Sequence, residues 1–325
     1  MLIPILLLVL GFVALIKGGD WFVDGATGIA RRFHLPELLI GATVVSIGTT
    51  LPEVMVSAGA AFQGSGSLAY GNAIGSIICN TALIAAITIA VKPAPASGKT
   101  LLFPVGFFGG AMALFAVGSY VLGEFPRWMG IVLLALFVVY IGITVYRIKR
   151  TPVSAPSAQK EEPDEQPKGH LMMDVVLLVI GAALIAVGAD LLVDNATVIA
   201  QKCGMSEKVI GLTIVALGTS LPELVTAITS LIKGHGSLSL GNIVGANLFN
   251  LILVSGAAIT INPFALPVSG TLAGINTALI IDLPVAVGVM LILTLPVIFR
   301  NKLARWQGIS LLVIYASFLV LQFMI

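Results

Sequence analysis

Two short segments of this chain place acid, hydroxyl and amide oxygens inside otherwise apolar sequence, and each segment occurs twice. GATVVSIGTTLPE, Gly41 to Glu53, returns as GLTIVALGTSLPE, Gly211 to Glu223; GNAIGSIICN, Gly71 to Asn80, returns as GNIVGANLFN, Gly241 to Asn250. Both pairs share one offset of 170 residues. Over the 40 positions from Gly41 to Asn80, 16 are identical at that offset, and they are mostly Gly, Thr, Pro, Glu and Asn rather than the Leu and Val that any two apolar helices share. The duplication therefore preserves a site and not only packing. Carboxylates in the middle of apolar runs, Glu53 and Glu223, are costly and mark function by default. Beside them stand the hydroxyls of Thr49, Thr50, Thr219 and Ser220, and each following segment adds an amide oxygen, Asn80 or Asn250. These are hard oxygen donors of the kind that hold Ca2+ or Na+, and with no His or Cys read as accompanying them a soft metal is not expected. Two carboxylates brought together in an apolar medium repel unless a cation lies between them. One divalent ion or several monovalent ones would neutralise the pair, which makes mutually exclusive occupancy, and hence exchange, physically natural.

The elements that position these groups must be membrane helices. With 58% hydrophobic and 10% charged residues over 325 positions and a mean hydropathy of +1.08, the chain is unlike a water-soluble domain. Runs of roughly 20 apolar residues, long enough to cross a bilayer, fall near 2–30, 36–62, 68–91, 101–121 and 128–146, then 171–200, 209–232, 238–261, 278–299 and 306–325. The first run has no basic region before it and reads as a retained helix. Pro52 cannot donate to the carbonyl of Gly48, nor Pro222 to that of Gly218, so each motif helix is expected to kink or break at the midplane. The one long polar stretch, 147–170, is a linker. The expected fold is an all-α integral membrane protein of ten helices in two five-helix repeats, 1–146 and 171–325.

Five spans per repeat make the two copies enter the membrane from opposite sides, an inverted repeat. With both termini outside, 13 Lys and Arg, including the basic residues of 147–170, fall on the cytoplasmic side; only Arg127, Lys202 and Lys208 fall outside, and Lys17 lies within the first span. That split satisfies the positive-inside rule in both halves. Asp20, Asp24 and Glu37 match Asp190, Asp194 and Glu207 at the same offset, and Arg127-Trp128 with Gly130 is echoed by Arg305-Trp306 with Gly308. The paired aspartates share one helix face, where they suit either an ion path or a structural role at a span end. Cys79 and Cys203 are too far apart in sequence to suggest a disulfide framework and read as packing thiols. The three His are in or near loops without ligand spacing. An intramembrane hydrolase is disfavoured, since there is no HExxH or GxSxG and no His near either motif; a passive cation channel is a second rival.

GTTLPE with GNAIGSIICN, and GTSLPE with GNIVGANLFN, resemble the two alpha repeats of the calcium/cation antiporter superfamily, most of all the prokaryotic sodium/calcium exchangers. The resemblance spans both repeats and the ten-span layout. It implies a Ca2+ site formed by Glu53 and Glu223 with the carbonyls of Thr49 and Thr219. It also implies Na+ sites using Thr50, Ser220, Ser76, Asn80, Asn250 and the carbonyls of Ser46 and Ala216, with the first and sixth spans sliding over a fixed core. Ca2+ and Na+ would be cargo, with no cofactor, no nucleic acid and no obligatory protein partner, in a prokaryotic inner membrane. Three departures from the family pattern bear on this. Ala246 stands where the first repeat has Ser76, so one hydroxyl is missing; Asn250 takes a position that is Asp in potassium-dependent relatives; and glycine at 75 and 245 disfavours proton coupling. Proton-coupled and potassium-dependent exchange are the alternatives within the family.

Overall fold

The computed structural model describes residues 2–93, 96–150, 171–203, 218–268, 270–272 and 274–324. Ten helices occur among them: α1 (Leu2–Arg32), α2 (Glu37–Phe62), α3 (Gly66–Val91), α4 (Gly98–Leu122) and α5 (Arg127–Arg150), then α6 (Leu171–Lys202), α7 (Leu221–Ile232), α8 (Gly236–Ile261), α9 (Ala278–Arg300) and α10 (Arg305–Met324). Eight are long and apolar enough to cross a bilayer. Helices are the solution that hydrocarbon imposes, because every backbone donor and acceptor must be satisfied within the segment. The linker at 151–170 and the segment 204–217, which holds Glu207, Ala216 and the start of the seventh expected span, lie outside the described residues.

The helices divide into a two-helix layer and a buried core. The pair α1 and α6 makes the most extensive helix–helix interface among the described residues, yet each exposes many large apolar side chains along its other face. They run antiparallel and touch through backbone. A Cβ on Gly11 would lie 2.9 Å from the Gly188 carbonyl oxygen, and one on Gly188 would lie 2.9 Å from that of Gly11; Gly18 and Gly181 repeat the arrangement. At offset 170 Gly11 corresponds to Gly181 and Gly18 to Gly188, so one contact is the two-fold image of the other. Such close approach of backbones is what small residues permit in membrane helices.

In the core, α3 and α8 are the most enclosed spans, and the fifth helix of each half packs on the third helix of the other. Gly130 of α5 lies against Gly256 and Thr260 of α8, while Gly308 of α10 lies against Ala86 and Ala90 of α3. The Arg127 guanidinium donates to the Ile261 carbonyl at 3.3 Å, and Arg305 donates to Val91 at 3.4 Å. Positions 91 and 261 again differ by 170, so the Arg-Trp echo in the sequence marks two equivalent helix-end caps across the halves. The remaining regular structure is short: β1 (Glu124–Phe125) pairs antiparallel with β2 (Phe264–Ala265), joining loops of the two halves, and β3 (Thr271–Leu272) pairs with β4 (Ile275–Asn276).

Candidate ion-binding site

The local backbone around the motifs departs from regular α-helix where the ligands sit. Asn80 opens a π-helical turn, Asn80–Ala85, inside α3, and Asn250 opens the matching turn, Asn250–Ser255, inside α8. A third, Gly41–Val45, opens the first repeated segment in α2. π-turns inside α-helices are frequent at functional sites because they re-aim side chains and alter the hydrogen-bond ladder. Here, carbonyls in these turns take side-chain donors. Ser46 Oγ lies 2.7 Å from the Gly41 carbonyl, the Tyr140 hydroxyl donates to Ala42 at 3.0 Å, and Ser255 Oγ donates to Asn250 at 2.8 Å.

The two motif helices are not alike. In α2 the backbone stays helical through Pro52, which lies inside the α-helical segment Ser46–Phe62. Of the expected kink or break, a break does not occur at the first motif; the nearest irregularity on its N-terminal side is the π-turn Gly41–Val45, which ends seven residues before Pro52. In the second motif Thr219 and Ser220 form a turn and α7 begins at Leu221, with Pro222 in its first turn where a missing N–H costs nothing.

Glu53 and Glu223 are both completely buried, and none of their four carboxylate oxygens has a hydrogen-bond partner. Their charges interact across the interface of the two halves. The hydroxyls of Thr50 and Ser220 and both amide atoms of Asn80 and Asn250 are also buried without partners. Buried polar atoms are almost always paired, so this concentration of orphaned oxygens is the signature of a ligand site. Thr49 is buried, Thr219 half-buried, and Ser76 buried on α3. Ser46 is wholly buried too, but its hydroxyl is committed to α2 and α8 backbone, lying 2.9 Å from the Asn242 carbonyl. Ala216 is outside the described residues. A small cavity bounded by Phe22, Gly48, Thr49, Pro52, Ile185 and Pro222 brings α1 and α6 against both motifs. Among the described residues no three His, Cys, Asp or Glu gather as a resident metal centre; the arrangement is two acids surrounded by neutral oxygens.

Sequence reasoning missed several participants. Asn72 donates to the Glu53 carbonyl at 3.2 Å and to Ser57 Oγ at 2.9 Å. Its counterpart Asn242 accepts from the Thr49 hydroxyl at 3.2 Å, reaching across to the other half, while its own Nδ2 is buried without a partner. Both are identical at the repeat offset, which was the available signal. The thiol of Cys79, expected to be plain packing, is buried on α3 and accepts from the Tyr315 hydroxyl at 3.8 Å. Asp20 and Asp24 do not reach the site. Lys233 sits 2.8 Å from an Asp24 carboxylate oxygen and 3.5 Å from one of Asp20. The Arg32–Asp174 pair at 3.0 Å and the His235–Glu37 contact at 2.7 Å lie at the same end of the molecule. Asp190 and Asp194 are exposed, and no ion pair to either occurs among the described residues.

Comparison with known proteins gives the family and the fold. The model of the family described as sodium/calcium exchanger protein matches residues 3–146 and 173–324. The chain is 35% identical over 309 residues to the uncharacterized membrane protein MJ0091 of Methanocaldococcus jannaschii, covering 94% of this chain and 93% of that protein. It is 30% identical to the sodium/calcium exchanger MaX1 of Methanosarcina acetivorans over 98% of both chains. A solved structure of the sodium-calcium exchanger NCX_Mj, soaked with Na+ and without Ca2+, superposes with a TM-score of 0.81 at 32% identity, covering 98% of each chain.

Proposed function

The chain belongs to the sodium/calcium exchanger protein family, and from that premise we propose that it is a secondary antiporter that moves Ca2+ across the membrane in exchange for Na+ by alternating access. The observation that carries this reading is the pair of buried acids, one from each half, whose four oxygens no protein donor satisfies. A desolvated carboxylate without a counter-charge is strongly unfavourable. Ca2+ supplies that charge and takes roughly six to eight oxygen ligands. Glu53 and Glu223, with the carbonyls of Thr49 and Thr219, are the Ca2+ set. Thr50, Ser220, Ser76, Asn80 and Asn250, with the carbonyls of Ser46 and Ala216, serve Na+ around the same acids. Both cargoes draw on one pair of charges, so one leaves as the other enters.

Residues 1–146 and 171–325 act as inverted repeats joined by a cytoplasmic linker at 147–170, with both termini outside, in a prokaryotic inner membrane. The glycine contacts that bind α1 to α6 suit a pair that moves as one body over the remaining helices, and the cavity at Pro52 and Pro222 lies at the boundary where that motion would open or close the site. Uptake of radioactive Ca2+ into vesicles containing the purified protein tests the reading. An outward Na+ gradient should drive uptake, and outward K+ or H+ gradients should not. Uptake driven by K+ or H+ alone would replace Na+ as the coupling ion, and Ca2+ entry with no counter-ion would make the protein a channel.

A further inference from the structure

Beyond Glu223, α7 carries buried hydroxyls that nothing in the fold uses. Glu223, Thr226 and Ser230 follow one another at spacings of three and four, which puts them on one face of the helix. All three are completely buried, and the hydroxyls of Thr226 and Ser230 have no hydrogen-bond partner. A helical hydroxyl has a ready acceptor in the carbonyl four residues earlier; Thr27, Thr260 and Thr294 take it at 2.9, 2.7 and 2.6 Å. Thr226 and Ser230 do not. On α8, which packs against α7, Ser239 is 3% exposed and its hydroxyl is likewise unpartnered. Ser239 also lines a small cavity with Thr88, Lys92, Leu231 and Leu303, so the column of orphaned hydroxyls leads from Glu223 to a cavity at the end of α7 that the topology proposed above makes cytoplasmic.

The first half has no such column. At the offset of 170 residues, Thr226, Ser230 and Ser239 correspond to Val56, Ala60 and Ala69. Coverage differs too: Val56 is 39% exposed and Gly71 exposed, whereas Thr226 and Gly241 are buried. The second half is covered by α1 and the start of α2. A Cβ on Gly19 of α1 would lie 2.7 Å from Val225 Cγ1 and 2.8 Å from Thr229 Oγ1, and one on Gly245 would lie 2.6 Å from Ala42 Cα.

We propose that Thr226, Ser230 and Ser239 line the route by which a partly hydrated Ca2+ or Na+ passes between Glu223 and the cytoplasmic end, a route shut in this structure by α1 and the start of α2. The proposal rests on the reading of Glu53 and Glu223 as the cargo acids. Hard cations keep an oxygen shell, and hydroxyls can take the place of its waters one at a time, as valine and alanine cannot. When α1 withdraws from Val225 and Thr229, this face of α7 is wetted and the orphaned hydroxyls bond to water.

The test has two arms. In the full chain carrying Cys79→Ala and Cys203→Ser, Ser230→Cys or Ser239→Cys is introduced singly, the protein is inserted into vesicles in one orientation, and a membrane-impermeant cationic methanethiosulfonate is applied during turnover. Both thiols should react from the linker side at least about tenfold faster than from the opposite side, a difference of roughly 1.4 kcal/mol in barrier. In the chain with its own cysteines, Thr226→Val, Ser230→Ala and Ser239→Ala together copy the first half. That variant should slow Na+-driven Ca2+ uptake at saturating ions by at least about tenfold, while its melting temperature holds or rises, because orphaned buried hydroxyls are removed; Thr226→Ser should keep the unmutated rate. Thiols that do not react from the linker side, or a triple variant that exchanges at the unmutated rate, overturn the route and leave the exchanger reading intact. Linker-side reaction in a protein that moves no Ca2+ would sink the exchanger reading and leave the wetted route standing.

Discussion

The two halves of the site carry nearly the same residues and use them differently. In the first half, α2 runs unbroken through Pro52, and Asn72 fastens the Glu53 carbonyl and Ser57 with two hydrogen bonds. In the second, α7 begins only at Leu221, Ala227 stands where the first half has Ser57, and the donor of Asn242 has no partner while its acceptor holds Thr49 of the opposite half. One acid is thus mounted on a braced helix and the other on a helix that starts beside it. The same inequality appears at the ends of α1 and α6. Lys233 grips Asp20 and Asp24, whereas its equivalent, Gln63, offers no charge to Asp190 and Asp194. Duplication copies ligands faithfully, but the bonds that brace them depend on second residues, Ser57 or Ala227, Lys233 or Gln63, that the two halves do not share.

The part of the comparison that must be symmetric is the charge. Glu53→Gln and Glu223→Gln should each abolish Ca2+ uptake while the protein still inserts, since stripping one acid from a desolvated divalent ion is a loss on the order of 3–5 kcal/mol. Uptake at the unmutated level in either variant would remove that acid from the site and end the equivalence of the halves.

The braces should separate the halves. Asn72→Ala deletes two hydrogen bonds and leaves Ser57 without its donor, which should lower stability by about 1–3 kcal/mol, read as a fall in melting temperature of the purified protein. Asn242→Ala deletes one, to Thr49, and also removes a donor that was already unpaired, so its melting temperature should fall less while its apparent Ca2+ affinity weakens more. Identical melting shifts with no affinity difference would show the two asparagines to be equivalent after all.

Ala246→Ser restores to the second half the hydroxyl that Ser76 gives the first. It should lower the Na+ concentration that half-activates exchange, with a smaller change in apparent Ca2+ affinity, because a monovalent ion relies more on each neutral oxygen. Equal shifts for both ions would place position 246 away from Na+. The smallest effect belongs to Lys233→Gln. Partly exposed ion pairs contribute about 0.2–1 kcal/mol each, so its melting temperature should scarcely move, and the loss should be partly reproduced in the unmutated protein by high salt. A large drop would mean that this end of α1 is held by more than charge.

How much of this was legible in the sequence differs by feature. The membrane, the ten-helix layout and the acid–hydroxyl–amide sets could be read directly, since composition reports the solvent and identity at a constant offset reports a copied site. The Arg127 and Arg305 echo was visible as well, although not that each arginine caps a helix of the other half. At Pro52 the alternative of a break does not occur: a proline reports that a bond to Gly48 is lost, yet the α-helical segment Ser46–Phe62 runs through it, and the π-turn upstream is tied by Ser46 and by Tyr140, nearly a hundred residues away.

What the sequence determined, then, is what depends on residue type and spacing along one helix: which runs belong in hydrocarbon, which oxygens gather within a turn of one another, and that the set is duplicated. What only the tertiary structure decided is which donor meets which acceptor between helices: Asn242 with Thr49, Lys233 with Asp24, and the glycine contacts of α1 with α6. Those pairs are separated by 163 to 209 positions and belong to opposite halves, and no local periodicity encodes them. They follow from how antiparallel helices register when backbones approach closely, a geometry that the whole packed core sets at once.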